Sequence, residues 1–528
     1  MSAFCRSLAE LARCRSGNIL PLSALAIFAV AALIGGAVDI SRGWRVQTRL
    51  QAACDAGVLA GRRAVTSNGF DTTANTQAEN YFYANFNVDK QGVGETTFLT
   101  TSADRGSTIS AVATTTLPPI MMQLFGFEGF DLRAACTASM EVGNSDIMMV
   151  LDTTGSMGWT LSGSSQTRIQ ALRASMKSFY DTVSAAASGT NARIRYGFVP
   201  YSSSVNVGRL ILDRDPDYLV DSWTIQSRRA IRRTNGTFQS WEYRPLTFDV
   251  SRYKNFNTVS TNTGTNGAAV SSTWEGCIEE RSTVSEDAFT WSSQTGFLPE
   301  GANDLDIDNA PDGTNATKWA PMWPELAFIR TFTDWRGNVY MNDAMPSPTG
   351  SQAPSFCPSP ARLLGEMDRT SYFAYADALV AEGATYHDIG LVWGARLLSP
   401  HGIWSDNVLE RPLNGGEVSR HLIFMTDGEM AANYSIQSSW GVEYHDRRVT
   451  DNGFSRDTQR HNSRFLALCE AVKAKGIRLW VIAFAAGMTT ELSTCASTDS
   501  AFLAANASQL DEAFQNIAKQ VGELRVVQ

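Results

Sequence analysis

The chain has 528 residues, a formal net charge of −9 and a hydrophobic content of 43%. That length accommodates roughly two to four domains with sizeable cores, and Trp, Tyr and Phe persist through its Ser-, Thr- and Asn-rich middle, which argues against disorder. The acidic balance excludes a sequence-independent grip on nucleic acid, which needs cationic charge to neutralise phosphates, so no nucleic-acid partner is expected.

Residues 1–16 carry Arg6, Arg13 and Arg15 and precede an uncharged run from Asn18 to Val38. As a helix this run is about 31 Å long, one hydrocarbon thickness. A transmembrane helix over residues 17–38 is expected, with residues 1–16 as a short cytoplasmic N-terminus. Gly35-Gly36-Ala37 is a faint small-residue cleavage site, so a signal peptide is the alternative, although its apolar core is normally shorter. Arg42, Arg45 and Arg49 follow the run closely, so the positive-inside count is nearly balanced and does not set the orientation.

Residues 39–65 are Ala-rich and Arg-studded, with no proline, and should continue the helix outward. The stretch from Gly17 to Gly61 closely resembles the N-terminal segment of TadE/TadG-like Flp (tight adherence) pilus-assembly proteins. There an uncharged span is followed by Asp, Arg and then Leu-Gln-x-Ala-x-Asp-Ala. Asp39, Arg42, Leu50, Gln51, Ala53, Asp55 and Ala56 match that pattern. Pilin-like members of the wider group are cut after a Gly and carry Glu five residues on. Here Leu22 stands five residues after Gly17, and the anchor is expected to stay attached. The resemblance implies a single-pass inner-membrane protein of a pilus apparatus.

Residues 67–145 read as a small α+β unit, so that residues 39–145 form a helix plus a small β region. Ala78 to Phe86 has a helical pattern, whereas Glu95 to Thr101, Ser107 to Thr116 and Leu132 to Val142 mix β-branched and polar residues as strands do. Leu117-Pro118-Pro119 breaks the second strand.

Residues 146–157, DIMMVLDTTGSM, are the most informative segment. An apolar run, Ile147 to Leu151, reads as a buried strand and ends in Asp152, with hydroxyls at Thr154 and Ser156. Loops at the C-terminal ends of parallel strands are where open α/β sheets place ligands. Hard divalent cations want oxygen ligands, and Mg²⁺ takes a few from protein while keeping waters. Arg168 to Phe179 then fits an amphipathic helix with Ile169, Leu172, Met176 and Phe179 on one face, and Arg193 to Ser202 fits a strand.

A long stretch, residues 208–380, interrupts this pattern. It contains Trp223, Trp241, Trp274, Trp291, Trp319, Trp323 and Trp335 among many turn residues. Within it Asp304, Asp306, Asp308 and Asp312 alternate as Ca²⁺ ligands can, but the run lacks the Gly and Glu of an EF-hand loop, and a solvated acidic loop is expected. Beyond it, Thr385 sits in a loop before a helix, and HLIFMTDGE (421–429) is a second apolar strand, ending in Thr426-Asp427-Gly428.

The Asp-x-Thr-x-Ser pattern, followed by Thr385 and Asp427 in that order, resembles the metal-ion-dependent adhesion site (MIDAS) of von Willebrand factor type A domains. The resemblance implies a metal held by Thr154, Ser156 and Thr385, with Asp152 and Asp427 binding directly or through water. Mg²⁺ is the expected ion, with Mn²⁺ or Ca²⁺ as alternatives. An open coordination position would accept a carboxylate from a partner protein, either another pilus component or a surface target. The implied fold is α/β, a Rossmann-like, mostly parallel sheet in two parts, residues 146–207 and 381–528. Two other readings stand beside it: a Rossmann-like domain whose Asp and Thr only cap helices, and a periplasmic spacer in which metal only stabilises loops. The insertion resembles that of TadG-like proteins at WEGCIEER (274–281) and CPSPARLL (357–364). It either covers the binding face or packs against the sheet.

Towards the C-terminus, Phe465 to Lys475 reads as a helix, Ile477 to Phe484 as a strand and Ala501 to Val521 as a final helix. In that last helix Phe502, Leu503, Leu510, Phe514, Ile517 and Val521 would face the sheet. Enzyme activity is not expected and no catalytic residue is assigned. His387, His401, His421, His445 and His461 form no HExxH pattern, and Ser156 lies in GSMG rather than a nucleophile elbow. His387 and Asp388 have acid–base chemistry, but residues at a helix start explain them equally.

Of eight cysteines, Cys5 and Cys14 precede the apolar run and six follow it, none with C-x-x-C spacing. Six cysteines beyond a span suit an oxidising compartment, which places the body in the periplasm or at the cell exterior; small buried core residues are the alternative. Six cysteines allow 15 pairings. Sequence proximity and domain grouping favour Cys54–Cys136, Cys277–Cys357 and Cys469–Cys495.

Overall fold

The computed structural model describes residues 19–65, 70–103, 106, 108–139, 143–188, 191–333, 336, 339–341, 351–521 and 525–527. The expected cytoplasmic N-terminus, the start of the span at Asn18, and Trp335 lie outside them. The chain forms two compact units, residues 1–141 with 523–528, and residues 142–522.

The first unit is built on one helix, α1 (Ile19–Ala64). No charge interrupts it from Ile19 to Val38, and Leu22, Leu25, Ile27, Phe28, Leu33 and Ile34 are all exposed there. A long, exposed apolar helix of this kind is a candidate membrane anchor. Its C-terminal half is buried: Val46, Leu50, Ala53, Cys54 and Val58 pack against α2 (Thr72–Asn85) and a small sheet. That sheet runs β1 (Thr96–Thr101), β2 (Thr108–Leu117), β3 (Phe130–Ser139), and its fourth strand is Arg525–Val527, antiparallel to β3. Gly57 lets the helices cross closely, since a Cβ there would lie 3.1 Å from the Ala78 carbonyl and the Phe82 Cβ of α2, and 2.8 Å from the Phe98 ring of β1. Phe98 in turn stacks on Phe82 of α2 at 4.3 Å. The expected layout of a long helix with a small sheet at its far end is therefore present.

Cys54 on α1 and Cys136 on β3 are joined, and the bond closes a long loop, which constrains the unfolded chain most. Replacing both by alanine should cost this unit about 2–5 kcal/mol. The cost would appear as a lower urea midpoint for the transition that reports on α1, and an unchanged midpoint would show that packing alone holds the sheet to the helix. The other two expected pairs, Cys277–Cys357 and Cys469–Cys495, are also formed.

The second unit is a mixed α/β body around a six-stranded sheet. In chain order its elements are β4 (Asn144–Asp152), α3 (Arg168–Ala187), β5 (Ile194–Tyr201), a hairpin of β6 (Ser222–Arg232) and β7 (Phe238–Asp249), and β8 (Arg362–Gly365). They continue with α4 (Arg369–Asp377), α5 (His387–Leu398), β9 (Val418–Thr426), α6 (Asp457–Ala474), β10 (Arg478–Phe484), β11 (Ala501–Ala504) and α7 (Ala507–Val521). The strand order is β8-β5-β4-β9-β10-β11, with β5, β4, β9, β10 and β11 mutually parallel and β8 antiparallel at the edge. Alternate side chains of the central strands feed two cores, because successive Cβ atoms point to opposite faces. Met148 and Val150 of β4, with Leu422 and Phe424 of β9, join α5 and α6 on one face. Ile147, Met149 and Leu151, with Ile423 and Met425, join α3, α4 and α7 on the other. Strands buried on both sides read as unbroken apolar runs, which is how they show in the sequence.

Two expectations change. Ala501–Val521 is not one helix: Ala501–Ala504 is a strand, paired in parallel with β10. Phe502 stacks towards Trp480, and Leu503 points to solvent. The helix begins only after Asn506, whose Oδ1 accepts the Gln509 amide while Gln509 accepts the Ala505 amide. This reciprocal capping arrangement fixes the break. The acidic run 304–312 is solvated only at its far end, where Asn309, Ala310 and Asp312 are exposed. Asp304 is buried and accepts the Trp440 indole N–H at 2.9 Å. Asp306 accepts the amides of Asp308 and Asn309, Asp308 accepts Ser399 and Lys475, and Asp312 accepts Thr314 and Thr317. Each carboxylate answers to separate protein donors, so the run has no shared ion position.

The insertion is largely short hairpins, and it shares a core with the sheet. Trp274, Ile278, Trp319 and Trp323 belong to the same cluster as α5 and α6. That packing is one of its two expected roles.

Candidate functional site

The parallel strands β4 and β9 end side by side, with Leu151 opposite Met425. The chain leaves each strand through a loop at this edge. Asp152 is fully buried beneath those loops. One of its oxygens accepts the Thr154 amide at 2.9 Å, and the other accepts the Thr426 hydroxyl at 2.8 Å and the Asp427 amide at 3.3 Å. The turn carries Thr154 and Ser156 on one side, and their hydroxyl oxygens lie 3.0 Å apart. Ser156 donates to Asp427 Oδ1 at 2.6 Å. Asp152, Thr154, Ser156 and Asp427 are thus drawn into one hydrogen-bonded set.

Thr385 comes from a third loop that is stitched to the first. The Glu382 amide donates to the Thr153 carbonyl at 2.7 Å, and the Gly155 amide to the Gly383 carbonyl at 2.9 Å. Thr385 itself accepts the Ala431 amide through its carbonyl at 2.9 Å. With Ser156, Arg168 and Asp427 it lines an open pocket of about 780 Å³, whose far wall is Glu429 to Ser435. No residue of 208–380 lines this pocket.

Burial, and then the negative charge of Asp427, raise the Asp152 pKa to about 7, against the lowering effect of the Thr154 amide. Asp427 is raised too, chiefly by burial, with Ser156 and Arg168 opposing. Two neighbouring buried carboxylates short of positive charge are an arrangement that a cation relieves. The donor set also fits a small hard ion. In an octahedral shell with oxygens at about 2.1 Å, neighbouring ligands lie about 3.0 Å apart, which is the Thr154–Ser156 separation. Among the described residues no group of three or more His, Cys, Asp and Glu gathers as a metal cluster; any ion here would depend on hydroxyl ligands.

Sequence reasoning missed two side chains. Arg168, expected only as a helix start, donates to the Asp427 carboxylate at 2.9 Å and to its carbonyl at 3.1 Å. A cation at a helix N-terminus opposes the helix dipole, and that misfit was the available signal. Trp159, 64% exposed, stands on the rim with the Arg168 guanidinium over its ring at 5.4 Å. His387 and Asp388 do not form an acid–base pair at the pocket. The His387 ring bonds the Thr426 hydroxyl at 3.0 Å, and Asp388 bonds His461 at 2.6 Å, all buried.

Comparison with known proteins gives one sequence match, at the N-terminus. Residues 17–65 match the family described as "Putative Flp pilus-assembly TadE/G-like". No curated protein matches the chain. Among solved structures, the pilus adhesin SpaC from Lactobacillus rhamnosus GG is similar at 10% identity and a TM-score of 0.33, over 81% of this chain and 34% of that one. The PilB minor pilin from Streptococcus sanguinis is similar at 13% identity and a TM-score of 0.32, over 81% and 78% of the two chains. The chain thus spans about a third of the length of SpaC. The chain therefore carries a TadE/G-like pilus-assembly segment, from the start of its apolar helix to the end of α1.

Proposed function

We propose that this chain is a membrane-anchored protein of a Flp/Tad pilus apparatus whose second unit, read as a von Willebrand type A domain, binds a partner protein through a metal ion. The observation that carries the reading is the convergence of Asp152, Thr154, Ser156, Thr385 and Asp427 at the edge of β4 and β9, at the mouth of an open pocket. These residues would hold Mg²⁺, or Mn²⁺ or Ca²⁺ in its place. The ion would supply an electrophilic position for a carboxylate on another pilus component or a surface target. Trp159 and Arg168 would meet the partner at the rim. Binding rather than turnover is the proposed activity.

The TadE/G-like match and the exposed apolar half of α1 support an inner-membrane anchor. Three disulfides support a periplasmic or exterior body. All six of those cysteines found as free thiols in protein from its native compartment would sink that placement. Titrating the full chain in detergent with Mg²⁺ or Mn²⁺ in a calorimeter should reveal one site, and no heat of binding with either ion would end the metal reading.

One observation favours the second reading, a structural spacer. Asp152 braces the loops after both strands, so an ion beside it would stabilise those loops with or without a partner carboxylate. An EDTA-treated chain that binds its pilus partners unchanged would favour the spacer.

A further inference from the structure

The β2–β3 connection, residues 118–129, reads PPIMMQLFGFEG, and its one charge, Glu128, lies beside β3, leaving residues 118–127 uncharged. Such a turn normally faces water and is polar. Here Ile120, Met121, Leu124 and Phe127 are 57%, 46%, 82% and 38% exposed, an unusual concentration of open apolar side chains on one short loop.

The loop does not hang free. It runs back along α1 towards the apolar end of that helix. The Asp39 carboxylate accepts the backbone N–H groups of Ile120, Met121 and Met122 at 2.8–2.9 Å. Gly35 makes room for the contact: a Cβ there would sit 2.7 Å from the Met121 Cβ. Further down, the Phe125 ring meets Phe28 edge-on at 5.0 Å. Phe28 precedes Asp39 by about 16 Å along the axis at the α-helical rise. Around the loop the helix surface is itself apolar and open, with Leu25, Ile27, Leu33, Ile34 and Val38 between 49% and 74% exposed. Above it, Arg42 donates to the Pro118 carbonyl at 2.8 Å, and Trp44 is 76% exposed. Arg and Trp at that level are what a membrane–water boundary selects.

Non-helical backbone is tolerated at membrane depth only where its polar groups are satisfied internally. This loop satisfies six of its amides in that way. Asp39 takes three amides, and the Leu124, Gly126 and Phe127 amides go to the Met121, Gln123 and Met122 carbonyls at 3.1–3.2 Å.

We propose that residues 120–127 are a second membrane element, dipping alongside α1 into the leaflet nearest the folded unit, so that lipid is their occupant. This rests on the membrane reading of α1. The two insertions together would clamp the helix against tilt and rotation at its exit point.

The test uses the full chain, with Cys5 and Cys14 replaced by serine, purified and placed in phosphatidylcholine vesicles. A single spin label is introduced at Leu25→Cys, Leu124→Cys or Leu99→Cys. Leu99 is 69% exposed on β1 and serves as the aqueous control. Relaxation by oxygen should exceed relaxation by a water-soluble nickel chelate at positions 25 and 124, and the order should invert at 99. Lipid accessibility at 25 with water accessibility at 124 would overturn the loop insertion and leave the anchor standing. Water accessibility at 25 would overturn the anchor itself. Spin–spin broadening at 124 would mean that a second copy of the chain, not lipid, covers the loop, and would also overturn the proposal.

Discussion

Replacing Asp152 by alanine should abolish Mg²⁺ and Mn²⁺ binding, with a loss of at least about a hundredfold in affinity. Altering even outer-shell partners of a metal site costs 10–100-fold, and Asp152 organises both loops that carry the proposed ligands Thr154, Ser156 and Asp427. Its oxygens hold the Thr154 amide, the Thr426 hydroxyl and the Asp427 amide. The alanine variant therefore loses a charge and also frees Thr154 and Asp427 to move. Ser156→Ala separates these effects, since Ser156 is partly exposed and orients no backbone group. It should weaken binding about tenfold or more, with the far-ultraviolet circular dichroism unchanged. Arg168→Ala should act in the opposite direction: its guanidinium competes for Asp427, and removing it should tighten cation binding. Calorimetry on the three variants decides the matter. Unchanged affinity in Asp152→Ala, or weaker binding in Arg168→Ala, contradicts the assignment.

The second large effect concerns stability. Glu280 of the insertion is fully buried and accepts Arg396 Nη1 at 2.7 Å, Trp393 Nε1 at 2.6 Å and Trp319 Nε1 at 3.1 Å. Arg396, on α5, also donates to the carbonyls of Asp304 and Asp306 at 2.7 and 2.9 Å. This pair bolts the insertion to the sheet. Arg396→Met should destabilise the second unit by about 3–5 kcal/mol, because a buried carboxylate is left without its counter-charge. Adding Glu280→Leu should recover much of that loss, since replacing both members of a buried pair with apolar groups is often neutral. Chemical denaturation of the two single variants and the double variant gives the coupling. A double variant no better than Arg396→Met alone would mean that the Trp and carbonyl contacts, rather than the charge pair, hold the insertion.

The central sheet was legible because its strands are apolar on both sides, so Ile147–Leu151 and Leu422–Met425 stand out as unbroken runs. The loop residues followed from where those runs stop. The cysteine pairs were legible because each lies within one stretch of chain that folds together. What escaped detection depended on tertiary context. The β6–β7 hairpin sits over the shared core as a ribbon with Arg228, Arg229 and Arg232 on it, so its apolar alternation is broken by charge. Ala501–Ala504 has the composition of a helix and becomes a strand only because the β10 edge is waiting for it. Arg168 looked like surface charge until the loop after β9 brought Asp427 to it.

The continuity of α1 has a mechanical consequence. From Leu22 to the disulfide at Cys54 the helix has no turn, no proline and no glycine in a positive-φ conformation. Nothing along that path can act as a swivel. A pull on the folded unit would reach the exposed apolar half along covalent bonds and an unbroken hydrogen-bond ladder. The covalent tie to β3 loads the sheet in the same direction, so the anchor would resist traction as a strut rather than yield as a tether.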